Sequence, residues 1–166
     1  SFSFVLKNNN NDIEFHILLL FEYNNSLRIM EVNVSMTYLN DEKFQVLNES
    51  GNKLTIDMYE KDKKENLSPM ELLLSAVTTC AAVEIVSMIK KRRRDFRDLK
   101  AESSGIRAET HPMYYKKINI KYIIYSKDLQ DSEAERFISL ALTKYCSVGS
   151  SIRMDTEVVH SFEIIR

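Results

Sequence analysis

The sequence predicts an α+β domain, and three observations carry that expectation. Short alternating stretches of strand type are interrupted twice by helix-start signatures. The order that results, β-β-β-α-β-β-α-β, is not the regular alternation of a parallel α/β fold. One of the two helices is apolar over almost its whole girth, so it must lie inside. With 166 residues the chain suits one domain with an ordinary core. Only 3 Gly and 2 Pro point to long elements joined by few tight turns.

Residues 1–29 stand apart. They hold the run Asn8–Asn11, a short greasy patch, and Asn24 and Asn25. Two readings are open, an N-terminal extension and a real strand at a sheet edge; the extension is preferred, with the main domain over 30–166. The apolar patch Ile17–Phe21 is far shorter than the roughly 20 residues of a spanning helix, so no membrane segment is read there.

From Met30 the pattern alternates. Val32, Val34 and Met36 share one side, and Asn33, Ser35 and Thr37 the other. Asn40–Glu42 reads as a turn, Phe44 and Val46 as a second strand, and Glu49–Asn52 as its end. Leu54, Ile56 and Met58 make a third strand, completing an antiparallel meander. Lys61–Asn66 is a charged loop. Ser68-Pro69-Met70-Glu71 then starts a helix: Ser68 caps, Pro69 suits the first position, and Glu71 reaches back as a capping box. Leu72 through Ile89 leaves little polar surface on this helix. One sheet covers one face only, so the other face calls for a second helix or a second subunit, and a homodimer is expected. Lys90–Arg94 reads as a solvated last turn favoured by the helix dipole.

Leu99, Ala101, Ser103 and Ile106 begin a further strand, His111-Pro112 breaks the chain, and Ile118, Ile120, Tyr122 and Ile124 alternate as the next strand. Ser132-Glu133-Ala134-Glu135 reads as a second capping box for a helix ending near Tyr145. Ser147–Ser151 is loop-like, and Val158, His160 and Phe162 form the last strand.

A net charge of −1 gives no electrostatic case for nucleic acid, and the basic run lacks the aromatic interleaving such a site needs. Two cysteines are too few for a disulfide-stapled secreted domain, so a cytoplasmic location is expected. Cys80 lies mid-helix and Cys146 at the end of the second helix. On residue type alone such thiols are often inert packing. No ligand-pair spacing with His16, His111 or His160 suggests a metal, and no cofactor is implied.

The stretch from Ser68-Pro69-Met70-Glu71 through Thr79-Cys80-Ala81-Ala82-Val83-Glu84 resembles the signature of the OsmC/Ohr family, as does Lys144-Tyr145-Cys146-Ser147-Val148. Glu109-Thr110-His111-Pro112 and Ser161-Phe162-Glu163-Ile164 fit as well, and the likeness runs from about Met30 to Arg166. The resemblance implies an OsmC-like fold: an antiparallel sheet with two long central helices in an intertwined homodimer. It also implies reduction of organic hydroperoxides through a cysteine pair. Cys80 would attack the peroxide, Cys146 would resolve the sulfenic acid as a disulfide, and a dithiol such as a lipoylated protein would reduce the bridge.

The sequence departs from the peroxidase pattern twice. Met70 stands where those members carry Glu directly after the helix-starting proline. Glu71, roughly two and a half turns before Cys80, lies on about the opposite side of the helix and reads as a cap. No Arg lies between Met30 and Cys80; Lys43 reads as surface charge, and Arg107 and Arg153 are the candidate substitutes. The chain thus resembles the less-characterised OsmC-like branch more than the organic hydroperoxide resistance proteins. Glu84, one turn after Cys80 on the same face, is the third candidate site residue, as a structural partner or proton acceptor. The alternative function is a small-molecule-binding protein without peroxidase turnover.

Overall fold

A computed structural model describes residues 31–166. The N-terminal extension expected over 1–29 lies outside the described residues. Three strands come first: β1 (Val34–Asn40), β2 (Lys43–Asn48) and β3 (Lys53–Asp57), in an antiparallel meander. Its register pairs Met36 with Val46 and Tyr38 with Phe44, then Phe44 with Ile56 and Val46 with Leu54. Cross-strand partners share a face, so Val34, Met36, Tyr38, Phe44, Val46, Leu54 and Ile56 gather on one side. Tyr38 and Phe44 meet edge to face with ring centres 5.6 Å apart. Among the described residues that side is left largely open: Val34 is 66% and Met36 62% exposed.

The long helix α1 spans Pro69–Lys91. Its start is as expected. The Glu71 carboxylate accepts the Ser68 N–H at 2.7 Å and the Ser68 hydroxyl at 2.6 Å, closing the capping box, and Lys64 approaches it at 2.7 Å. In the same turn the Tyr115 hydroxyl donates to the Met70 carbonyl at 2.8 Å. By length and composition α1 would suit a membrane span. Here its stripe Val77, Ala81, Ile85 and Ile89 is buried instead, as in the core helix of a folded domain.

The remainder forms a second layer. Strands β4 (Asp98–Arg107), β5 (Tyr115–Tyr125) and β6 (Glu157–Ile165) make a separate sheet, with α2 (Asp131–Leu140), a π-helical turn (Ala141–Tyr145) and the short α3 (Ser147–Ser150) between β5 and β6. Ile118, Ile120, Tyr122 and Ile124 of β5 are all at most 1% exposed and face α1 and α2. Removing each such side chain from water contributes about 1.5–3 kcal/mol, which makes β5 the centre of the core. The Tyr122 hydroxyl is satisfied there by the Thr78 carbonyl at 3.1 Å.

The structure corrects the sequence reading in four places. Two three-stranded sheets replace the single antiparallel sheet, and the second is mixed: β4 and β5 run antiparallel, β5 and β6 parallel. A helical crossover joins β5 to β6, and such a connection returns the chain in the same direction. The second capping box is Gln130 with Glu133, not Ser132 with Glu135. Buried Leu129, its N–H held by the Ser126 hydroxyl at 3.1 Å, sets an earlier entry, and Glu135 pairs with His160 at 3.0 Å. Residues 147–150 are one turn of helix rather than loop, and β1 begins at Val34 rather than including Val32.

Gly105 lies opposite Ile118 on β4, and the Tyr115 ring fills the space where a Cβ would stand. Gly105→Ala must displace that buried ring, and a loss of about 1–3 kcal/mol is expected in chemical denaturation. Glu71 supplies a second expectation. Its hydrogen bonds from Lys64 and Ser68 hold its carboxyl at about 2 against an ordinary 4.5. A lowered carboxylate stabilises the fold above the ordinary value and loses that contribution as pH falls toward 2. The side chain is 43% exposed, so solvent screens the Lys64 pairing and the cap dominates. Glu71→Gln should cost about 1 kcal/mol at neutral pH and flatten the loss of thermal stability between pH 4.5 and 2, read by thermal melts across that range.

Candidate active site

Two free thiols come together where α1 meets the end of α2. Cys80 is half-buried and sits at the edge of the uncovered stripe of α1, beside Leu73 and Val83. Cys146 is 1% exposed. Its place is set by the π-helical turn: the widened turn carries the chain past a regular helical step, and the Cys146 N–H donates to the Ala141 carbonyl at 2.8 Å. The thiol then donates to the Val77 carbonyl of α1 at 3.8 Å, and its sulfur accepts the Gly149 N–H at 3.1 Å. Val77 lies one turn below Cys80, so this contact ties the second thiol to the stretch of α1 that bears the first.

The electrostatics are those of a dry pocket. Burial pushes the Cys146 thiol up from its ordinary value; the Gly149 and Val148 amides oppose this, and the approach of the Cys80 thiol adds to it. The Tyr122 hydroxyl is pushed well up by burial, with both thiols raising it further. Among the described residues, no cation takes part in setting the acidity of Cys146.

The sequence candidates fall into two groups. Cys80 and Cys146 are neighbours. Glu84 lies half-buried one turn above Cys80 and makes no ion pair among the described residues. Neither arginine supplies the missing cation. Arg107 donates to the Met113 carbonyl at 2.7 Å, and Arg153 is clamped to Asp155 at 2.9 and 2.8 Å with its guanidinium 4.1 Å from the Tyr114 ring centre. Lys43 pairs with Glu65 at 2.6 Å. The sequence reading missed Tyr122 and Gly149. Tyr122 was visible as an inward position of β5, but alternation gives no hint of which helix residue it faces. A groove of about 300 Å³ runs between α1 and β4, lined by Ser75, Thr78, Thr79, Ala82, Leu99 and Ser103, next to the turn that carries Cys80.

Comparison with known proteins places this geometry in a family. The family model described as OsmC-like protein matches residues 60–161, the span that contains both thiols. Protein YhfA of Escherichia coli is 33% identical over 116 residues, covering 70% of this chain and 85% of that protein. A crystal structure of a hypothetical protein from Aquifex aeolicus superposes with a TM-score of 0.73 at 28% identity, over 82% of this chain and 98% of that one. An organic hydroperoxide resistance protein OsmC from Legionella pneumophila, described as a predicted redox protein, shares the fold at a TM-score of 0.60 and 16% identity, over 81% and 98% of the two chains. With its family motif, its fold and its paired thiols in agreement, this chain belongs to the OsmC-like family.

Proposed function

We propose that the protein is a homodimeric, thiol-dependent reductant of organic hydroperoxides, acting in defence against oxidative stress in the cytoplasm. The observation that carries the reading is the meeting of a half-exposed thiol, Cys80, with a buried one, Cys146. The Cys80 thiolate attacks the outer peroxide oxygen; the O–O bond breaks, an alcohol leaves, and Cys80 becomes a sulfenic acid. The Cys146 thiol then displaces water from that sulfur to form a disulfide, and an external dithiol, such as a lipoylated protein, returns both thiols. Family membership supports a peroxide-related role. Glu84 is the candidate proton acceptor for Cys80, being the carboxylate one turn away on the same helix.

The dimer reading rests on uncovered apolar surface. Val83 is 66% and Leu73 36% exposed on α1, and the apolar side of the β1–β3 meander is bare as well. Surface of this kind on both elements fits a second copy packing α1 against α1. Cys80 borders that stripe, so a partner would complete its surroundings.

One observation favours a second reading, a binding protein without turnover. Burial raises the Cys146 thiol, which works against a thiolate there, whereas a groove of about 300 Å³ lies beside the turn that carries Cys80.

Free-thiol titration with peptide mapping, before and after one equivalent of an organic hydroperoxide, separates the two. Loss of both thiols together with a Cys80–Cys146 peptide is expected, and Cys80→Ser should abolish peroxide consumption. Two surviving thiols, or unchanged turnover in Cys80→Ser, would leave only the binding reading. In solution the protein should have twice the 19.4 kDa mass of its chain by light scattering. Val83→Asp should shift it to the single-chain mass, and a monomeric wild type would sink the dimer.

A further inference from the structure

Gly149 bears on the reaction through position rather than contact with substrate. Its N–H reaches the Cys146 sulfur at 3.1 Å, and a Cβ built on it would stand 3.3 Å from that sulfur and 3.5 Å from the Cys146 Cβ. The sulfur therefore rests against the bare Cα of a glycine. On its other side the thiol faces the Val77 carbonyl at 3.8 Å, and the π-helical turn fixes the backbone before it through the 2.8 Å bond from Cys146 N–H to Ala141. Among the described residues the Cys80 sulfur receives no backbone N–H and meets the Cys146 thiol instead, and Cys80 is the more accessible of the two. The two sulfurs of the pair are thus unequal.

We propose that Gly149 is the positioning residue that seats the Cys146 sulfur, and that this seat makes Cys146 the thiolate released when a Cys80–Cys146 bridge is reduced. The proposal rests on the disulfide cycle above but concerns its return half. An incoming thiolate attacks the accessible Cys80 sulfur, the S–S bond breaks, and its electron pair goes to the Cys146 sulfur, where the Gly149 N–H donates to the new negative charge. The mixed disulfide on Cys80 is then cleared by the second thiol of the dithiol reductant, releasing the Cys80 thiolate. Burial raises the Cys146 thiol and the Gly149 N–H works against that rise, so weakening this bond slows release of the thiolate and lessens the bias toward attack at Cys80.

The test forms the bridge with diamide, independently of peroxide, and opens it with limiting 2-mercaptoethanol under an alkylating quench. Peptide mapping should find the mercaptoethanol adduct on Cys80 and the alkyl group on Cys146. In Gly149→Ala the opening should slow severalfold, because a less acidic thiol leaves more slowly. Its adducts should also spread to both cysteines, a partition that loss of fold stability alone would not change. Adduct on Cys146 in the wild type, no bridge with diamide, or an unaltered rate and partition in a folded Gly149→Ala would each overturn the proposal. The wild-type mapping decides the matter even if the variant does not fold. A bridge that forms with diamide but not with hydroperoxide would remove the peroxidase reading and leave the seat intact for judgement by the same mapping.

Discussion

A helix that is apolar on every side is the constraint on which the rest of this structure depends. From Leu72 to Ile89, α1 offers almost no polar face to water, so each side of it needs a cover. The β4–β5–β6 sheet and α2 cover the stripe Val77, Ala81, Ile85 and Ile89. What is left bare is the stripe of Leu73 and Val83, and Cys80 stands at the boundary between covered and bare. The position of Cys80 therefore follows from the same pattern that builds the core. It is dry enough on one side to hold a second thiol and open enough on the other to be reached.

Much of this was legible in the sequence. The meander, the capping box at Ser68 and Glu71, the inward set Ile118, Ile120, Tyr122 and Ile124, and the two cysteines all carry local signals of period, cap or motif. The features that were not legible are non-local. Parallel pairing of β6 with β5 depends on where a helix returns the chain, and alternation along β6 is the same in either direction. The true start of α2 is set by burial of Leu129, while Ser132 offers an equally good local cap. The π-helical turn has no sequence signature; Ala141–Tyr145 continues the helical pattern, and only the placing of Cys146 against Val77 reveals the extra residue.

The site's electrostatics are governed by omission. Burial raises the Cys146 thiol against the opposing Gly149 and Val148 amides, and Arg107 and Arg153 are bound to the loops after β4 and before β6. Chemistry in such a pocket leans on fixed dipoles and on the exclusion of water more than on paired charges. That distinguishes the arrangement from one organised around an Arg–Glu pair, and it places the fine control of the thiols in the backbone of the segment that carries Cys146.

The topology of the second sheet also governs whether the thiols meet. Cys146 hangs on the connection between α2 and β6, so its place depends on the pairing of β6 beside β5. The rungs Lys117–Glu157 and Lys121–Glu163, both at 3.1 Å, join strands far apart along the chain. Contacts of such long separation carry the entropic cost of closing a long stretch of chain. Proximity of the two sulfurs is accordingly a property of the finished molecule, and an incomplete chain carries two unrelated thiols. The same crossover that closes the fold also brings Cys146 to Cys80.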